Sequence, residues 1–265
     1  MDGFKFITRN GVLFARSDRL RAPHAFSTRL GGVSVLPHTR SMNLVYGRGD
    51  TDAQVDENRR IFLRETELVG ETVEAQQVHG IDVLFVRDAL PPRDVPADGF
   101  VTDRGGVILC VKTADCAPLL FEDAEAGIIG ACHAGWRGTL GGIAENTVRQ
   151  MCDLGARADR IHCAVGPCIH SCCYEVGDDF YRTVEKSRGA DFARRYVVRR
   201  HGGLFADIVG MNLEILLGAG MDEGNIDVCG RCTCCEPDIF FSHRATAGRR
   251  GTMIAMISLG GTNEN

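Results

Sequence analysis

The sequence predicts an α/β fold, one domain over residues 1–265 in which a mixed β-sheet is flanked by helices. Short Val- and Ile-rich runs recur at strand length, and longer segments place apolar residues at helical spacing. Gly, Asp and Pro punctuate the joins.

In chain order, TDAQVDENRRIFLRETEL (51–68) is a helix with Val55, Ile61, Phe62 and Leu68 at apolar positions behind a Thr or Asp cap. DVLFV (82–86), GVILCV (106–111) and GIIGACH (127–133) read as buried strands. GTLGGIAENTVRQMCDLG (138–155) gathers Ile143, Val148, Met151, Cys152 and Leu154 on one helical face and stops at Gly155. RIHCAVG (160–166) is another strand, ADIVGMNLEILLGAG (206–220) a third helix, and GTMIAMISL (251–259) a last strand. The pattern contains neither a 20–50-residue repeat nor a low-complexity linker, which favours one domain.

Composition narrows the function. With 44% hydrophobic residues the chain can bury a full core, and its net charge of −5 argues against a nucleic-acid partner. No 18-residue apolar run exists to span a membrane, and MDGFKFITRNGVLF lacks the design of an export signal. The expected location is the cytoplasm, so the twelve cysteines read as thiols. Cys110, Cys132 and Cys163, inside apolar runs, read as small buried hydrophobes.

Three breaks in this pattern carry chemistry. His79 precedes one apolar run, Cys116 interrupts ILCVKTADCAPLL, and His133 closes GIIGACH. Two imidazoles and a thiolate can hold a catalytic zinc with the fourth position left for water. They can equally form a Cys-His nucleophile pair, or be scattered structural residues. H-E-x-x-H, the deaminase H-x-E…P-C-x-x-C, G-x-S-x-G, the P-loop and G-x-G-x-x-G are all missing.

HAFSTRLGGVS, SMNL, VDENRR, QQVHG, ADGFVTD, KTADCAPLL, ACHAGWRGTLGGI, VGPCIHSCCYEVG and FFSHR occur in that order from about residue 24 to 259. Together they resemble the YfiH/DUF152 family, also called the polyphenol oxidase (laccase-domain) family or peptidoglycan editing factor. The resemblance implies a YfiH-like fold and one Zn2+ per chain held by His79, Cys116 and His133. It also implies phosphorolysis of adenosine, inosine, guanosine and S-methyl-5′-thioadenosine, and deamination of adenosine.

Phosphate binding asks for arginines or backbone amides, and Arg29, Arg59 and Arg137 occupy motif positions. Gly135 and Gly138 allow close backbone approach beside Arg137, and Thr139 is a candidate helix cap. Asn43 of SMNL is a candidate contact to ribose or base. Asp115 is a candidate to orient a ligand or a proton. Trp136 reads as core. FFSHR departs from the family's SYRR, and CGRCTCC (229–235) carries extra thiols that read as incidental or as an accessory metal or redox site. The rival readings are a copper polyphenol oxidase and a Cys-His amidase acting on peptidoglycan precursors. In the amidase, Cys116 is the nucleophile and His133 or His79 its base. A further rival is a metal-stabilised binding protein.

Overall fold

The computed structural model describes residues 3–260, so the ends of the expected 1–265 domain lie outside the described residues. The expected mixed sheet is in fact two six-stranded sheets. The first runs β1 (Phe4–Arg9), β2 (Val12–Ser17), β3 (His24–Ser27), β15 (Met253–Ser258), β7 (Val107–Thr113) and β4 (Glu71–Val73). The second runs β14 (Ile226–Val228), β10 (His162–Val165), β8 (Ala117–Asp123), β9 (Ile128–Ala134), β6 (Gly99–Thr102) and β5 (Val83–Phe85). Neighbours are antiparallel except β4–β7, β5–β6 and β10–β14. A small third sheet joins β11 (Glu175–Val176), β13 (Gly203–Ala206) and β12 (Val197–Arg200). The helices are α1 (Asp52–Thr66), α2 (Trp136–Gly141), α3 (Ile143–Asp153), α4 (Asp178–Arg188), α5 (Ala190–Tyr196) and α6 (Ile208–Gly218).

Strand alternation explains the layering. On β7, Ile108 and Cys110 pack with Phe14, Phe62 of α1 and Met256. Val107, Leu109 and Val111 face the other way, onto Phe100, Leu120, Ile129 and Ala131 of the second sheet. Leu119, Phe121 and Cys132 then face Val148 and Met151 of α3 and Ile215 of α6. The order is therefore helix, sheet, sheet, helices. Each such side chain taken from water contributes about 1.5–3 kcal/mol. Strands covered on both faces read as unbroken apolar runs, which is why β7, β9 and β15 stand out in the sequence.

The helix ends follow local chemistry. Thr51 and Gln54 form a capping box on α1, and Glu67 ends it in the left-handed region at φ 58°. The helix expected over 138–155 is two. Gly142, at φ 95°, closes α2 and opens α3, because no right-handed helix passes through that conformation. Thr139 caps neither. It lies inside α2 and bonds Asn212 of α6, whose Nδ2 donates to Oγ1 at 3.1 Å.

Candidate metal centre and its two cavities

The chain crosses between the large sheets twice at one end. It leaves β4 for β5 through residues 74–82, and β7 for β8 through 114–116. Because β4 and β7 are parallel, both crossings lie at the same edge. His79 is on the first and Cys116 on the second. β9 runs antiparallel to β8 with His133 opposite Pro118, so it ends beside Cys116. Topology thus gathers three residues spread over 55 positions. Their donor atoms all lie within 4.8 Å of one another, and the two imidazoles stand 4.9 Å apart at 76°.

Asp98, fully buried at the head of β6, holds this arrangement. One carboxylate oxygen accepts from the backbone N–H groups of Val78 (3.0 Å) and Gly80 (2.8 Å). The other accepts from the His79 N–H (3.1 Å) and from His133 Nδ1 (2.8 Å). The loop bonds stabilise His79 at φ 60°, a left-handed conformation that histidine tolerates better than most residues. The bond to Nδ1 makes that nitrogen the donor and leaves Nε2 for the centre. Gln77 adds a second clasp: its side chain accepts from Lys112 N at 2.7 Å and donates to Lys112 O at 2.8 Å.

Glycines let α2 approach. A Cβ on Gly135 would lie 2.7 Å from His79 Cδ2 and 3.2 Å from Cys116 Sγ. One on Gly138 would lie 2.8 Å from the Gly80 carbonyl. Asp115 supports the Cys116 turn at φ 91°; its carboxylate accepts from Thr233 Oγ1 (2.6 Å) and Arg244 N (2.7 Å).

Burial works against a charged Cys116, but the His133 imidazolium, with hydrogen bonds from His133 and His79, brings its thiol down to about 6. Burial likewise works against protonated His133, yet the Cys116 thiolate and Asp98 push it up to about 9. Each charge therefore favours the other, inclining the pair toward thiolate and imidazolium. A cation can take over the role of the His133 proton, meeting a thiolate that is already favoured. A tetrahedral zinc site with these donors needs them about 3.3–3.6 Å apart, so a small contraction suffices. The donor set fits zinc.

The cluster separates two cavities. The larger, about 340 Å³, is walled by Trp136, Tyr174, Arg137, His243, Arg244 and Arg250, with His79 and Cys116 at its base. Trp136 is thus half core, half wall: one side packs against Phe180, ring centroids 5.2 Å apart and tilted by 57°. The second cavity, about 280 Å³, meets His79, Cys116 and His133 from the other side and carries Arg48, Lys112 and Arg250.

Of the residues picked out for phosphate or substrate, Arg137 lines the larger cavity, with its guanidinium 4.2 Å over Trp136. The other three lie elsewhere. Arg29 donates to the carbonyls of Arg40 and Pro237 and stacks on Phe241. Arg59, beneath α1, donates to Leu44 O and is paired with the buried Glu74. Asn43 is fully buried, bonding Asp50, Val45 O and Thr252 N.

Sequence reasoning passed over Asp98, Gln77, Arg48, Lys112 and Arg250. Asp98 and Gln77 lie in quoted motifs, ADGFVTD and QQVHG, but their roles emerge only once partners across the fold are known. Arg250 follows Arg249 directly, and nothing in the sequence separates the exposed one from the half-buried one.

The family described as multi-copper polyphenol oxidoreductase laccase matches residues 23–260. A protein of Deinococcus radiodurans named purine nucleoside phosphorylase is 43% identical over 254 residues, 96% of this chain and 95% of the relative. Adenosine deaminase RL5, from an unknown prokaryotic organism, is 34% identical over 243 residues, covering 87% and 91%. The crystal structure of the Bacillus licheniformis hypothetical protein YfiH superposes with TM-score 0.86 at 28% identity, covering 97% of this chain and 99% of that one. Sequence match, overall similarity and fold agree that the chain belongs to the laccase-like YfiH/DUF152 family.

Proposed function

We propose that the chain is a zinc-dependent purine nucleoside phosphorylase holding one Zn2+ on His79, Cys116 and His133. Its substrates are adenosine, inosine, guanosine and S-methyl-5′-thioadenosine, and it also deaminates adenosine. The observation that carries the reading is a His-Cys-His donor cluster set between an aromatic-walled cavity and a cationic one. Relatives named purine nucleoside phosphorylase and adenosine deaminase support it. A bound zinc supplies Lewis acidity and lowers the pKa of water to about 7.

The residues divide the remaining work. Trp136 and Tyr174 give the purine's cavity its aromatic wall. Arg250, with Arg48 and Lys112, holds phosphate beside the cluster, and Arg137 supplies charge on the nucleoside side. Arg250 is suited to an anion. Its Nε is buried without a hydrogen-bond partner, and burial, then the neighbouring Arg48, lowers its pKa. Phosphate oxygen then bonds to ribose C1′ as the C1′–N bond breaks, its electron pair leaving with the base. Arg29, Arg59 and Asn43 act here as scaffold. Twelve cysteines, none of them in a disulfide, suit a reducing compartment, and the cytoplasm is the proposed location.

One observation favours a second reading. The donor atoms of Cys116 and His133 lie within 4.8 Å of each other, the juxtaposition that a Cys-His amidase also needs. A copper oxidase fits less well. A laccase-type set needs on the order of ten His ligands, whereas the chain has eight His, and neither cavity is lined by a Met to serve as a blue-copper axial ligand. Elemental analysis separates zinc from copper.

The test is purified protein with each nucleoside, with and without phosphate, followed by assay of free base and ribose-1-phosphate. Phosphate-dependent formation of both, lost in Cys116→Ser together with the zinc of the His79–Cys116–His133 cluster, is the expected result. Cleavage indifferent to phosphate would overturn the phosphorylase assignment. Activity surviving complete metal removal would favour the Cys-His reading.

A further inference from the structure

We propose that Cys172, Cys173, Cys232 and Cys235 form a second metal site, a four-thiolate centre that takes zinc and clamps the wall of the larger cavity. Their sulfurs all lie within 4.8 Å of one another. Cys235 Sγ is 3.4 Å from Cys172 Sγ and 3.3 Å from Cys173 Sγ. Four sulfurs around a zinc at about 2.3 Å form a tetrahedron with edges of about 3.8 Å, so the cluster needs only a slight expansion. A disulfide would instead need one pair to close to about 2.05 Å, and every cysteine here is free.

The ligand spacing suits a closed structural site, which draws donors in close pairs from two segments. Here the pairs are adjacent Cys172–Cys173 and Cys232-x-x-Cys235. The C-x-x-C step used is not Cys229–Cys232, because Cys229 is buried in the core between the sheets. The backbone pins the two segments together without help from the sulfurs. Cys168 pairs with Cys232 as an isolated bridge, and Thr233 N donates to Cys168 O at 2.9 Å. The His170 N–H points at Cys232 Sγ from 3.4 Å, the kind of bond that orients a ligating sulfur. Exposed Cys172 and Cys235 give an ion an entry path to the buried Cys232.

The site's neighbours give it a task. Tyr174, next to Cys173, is a wall of the larger cavity. Thr233, between Cys232 and Cys235, donates to Asp115 beside Cys116. Four protein sulfurs leave no open position, so the ion holds the 170–174 turn against the Asp115 turn and takes no part in reaction.

Elemental analysis of the full chain, purified under reducing conditions with zinc present, is expected to give two equivalents per chain. Cys235→Ser and Cys172→Ser should each retain one, Cys116→Ser should also retain one, and Cys116→Ser/Cys235→Ser none. Cobalt substitution of Cys116→Ser should show intense thiolate-to-metal absorption that Cys235→Ser removes, a reading that does not depend on turnover. Zinc content that Cys235→Ser leaves unchanged from the parent, whether one equivalent or two, would overturn the site. So would a thiol count that is low in the parent and restored by reductant without metal release, since that describes a disulfide. Nucleoside activity enters none of these readings, so the site stands or falls independently of the phosphorylase assignment.

Discussion

Beneath α1 and at the cavity edge, the same kinds of side chain have opposite fates. Under α1, Asn58 donates to Ser34 and to the Asn43 carbonyl and accepts from Val33 N. Asp50 accepts from Ser34, Thr39 and Asn43, and Arg59 is spent on Glu74 and Leu44 O. Around the cavities, Arg250 keeps a buried Nε without a partner, and Arg48 and Arg137 face open space. The first region is a closed polar network that fixes shape. The second has donor capacity left over at Arg250, the capacity that the proposed phosphate site uses.

The largest expected effect breaks the closed region. Arg59 and Glu74 are 11% and 6% exposed at their side chains, so removing one partner leaves the other charge buried. Arg59→Leu or Glu74→Gln should cost about 3–5 kcal/mol in urea unfolding, and Arg59→Leu should leave the phosphate KM of the folded fraction unchanged. Burial would raise the Glu74 carboxyl, but the Arg59 hydrogen bond and charge hold it below its ordinary 4.5. A depressed carboxylate pKa gives stability that is present above the unfolded value and lost as pH falls through the folded one. The parent should therefore lose stability below about pH 4.5 more steeply than Glu74→Gln. Parallel curves would mean that the pair contributes nothing.

The second prediction attacks the open region. Arg250→Met should lower kcat/KM for phosphate by about 2–4 kcal/mol, roughly 30- to 1,000-fold, with little change in unfolding midpoint. Arg250→Lys should recover only part, since the planar fork is lost. If Arg59→Leu raised the phosphate KM and Arg250→Met did not, the assignment of roles would be reversed.

This contrast also shows what the sequence can reveal. β7, β9 and β15 are buried on both faces and appear as continuous apolar runs. β12 ends in exposed Arg199 and Arg200, and α4 buries only Phe180 and Val184, so neither leaves a clear period. The gathering of His79, Cys116 and His133 was legible because His and Cys at breaks in apolar runs are chemically conspicuous. Which arginines reach the cavities was not, because motif membership separates Arg137 from neither Arg29 nor Arg59, whose guanidiniums are already engaged. Glu74, which engages Arg59, lies 15 residues away in sequence and meets it only through the fold.

Third, Asp98→Asn should weaken zinc binding about 10- to 100-fold, measured by competition with a chelating dye. An amide in place of the carboxylate loses charge and part of the four-donor cradle that holds His79 and His133. Unchanged affinity would show that the ligand loop is set without it, leaving Gln77 as the main clasp.

The smallest effect sharpens the comparison within the site itself. Gly135 and Gly138 both sit where a Cβ has no room, but what they meet differs. At Gly138 the obstacle is the Gly80 carbonyl, backbone anchored by Asp98, which cannot swing aside. At Gly135 it is chiefly the ring of His79, an exposed side chain that can rotate, although rotation takes its donor out of the cluster. Overpacking costs about 1–3 kcal/mol, more where the neighbour is fixed. Gly138→Ala should therefore lower the thermal midpoint more than Gly135→Ala does. Gly135→Ala should leave the midpoint nearly unchanged and instead weaken zinc binding by about 1 kcal/mol, roughly fivefold. Paired calorimetry and metal titration of the two variants read this out. If Gly135→Ala lost stability and kept its metal affinity, His79 would have yielded without leaving the centre, and its place among the ligands would need to be reassigned.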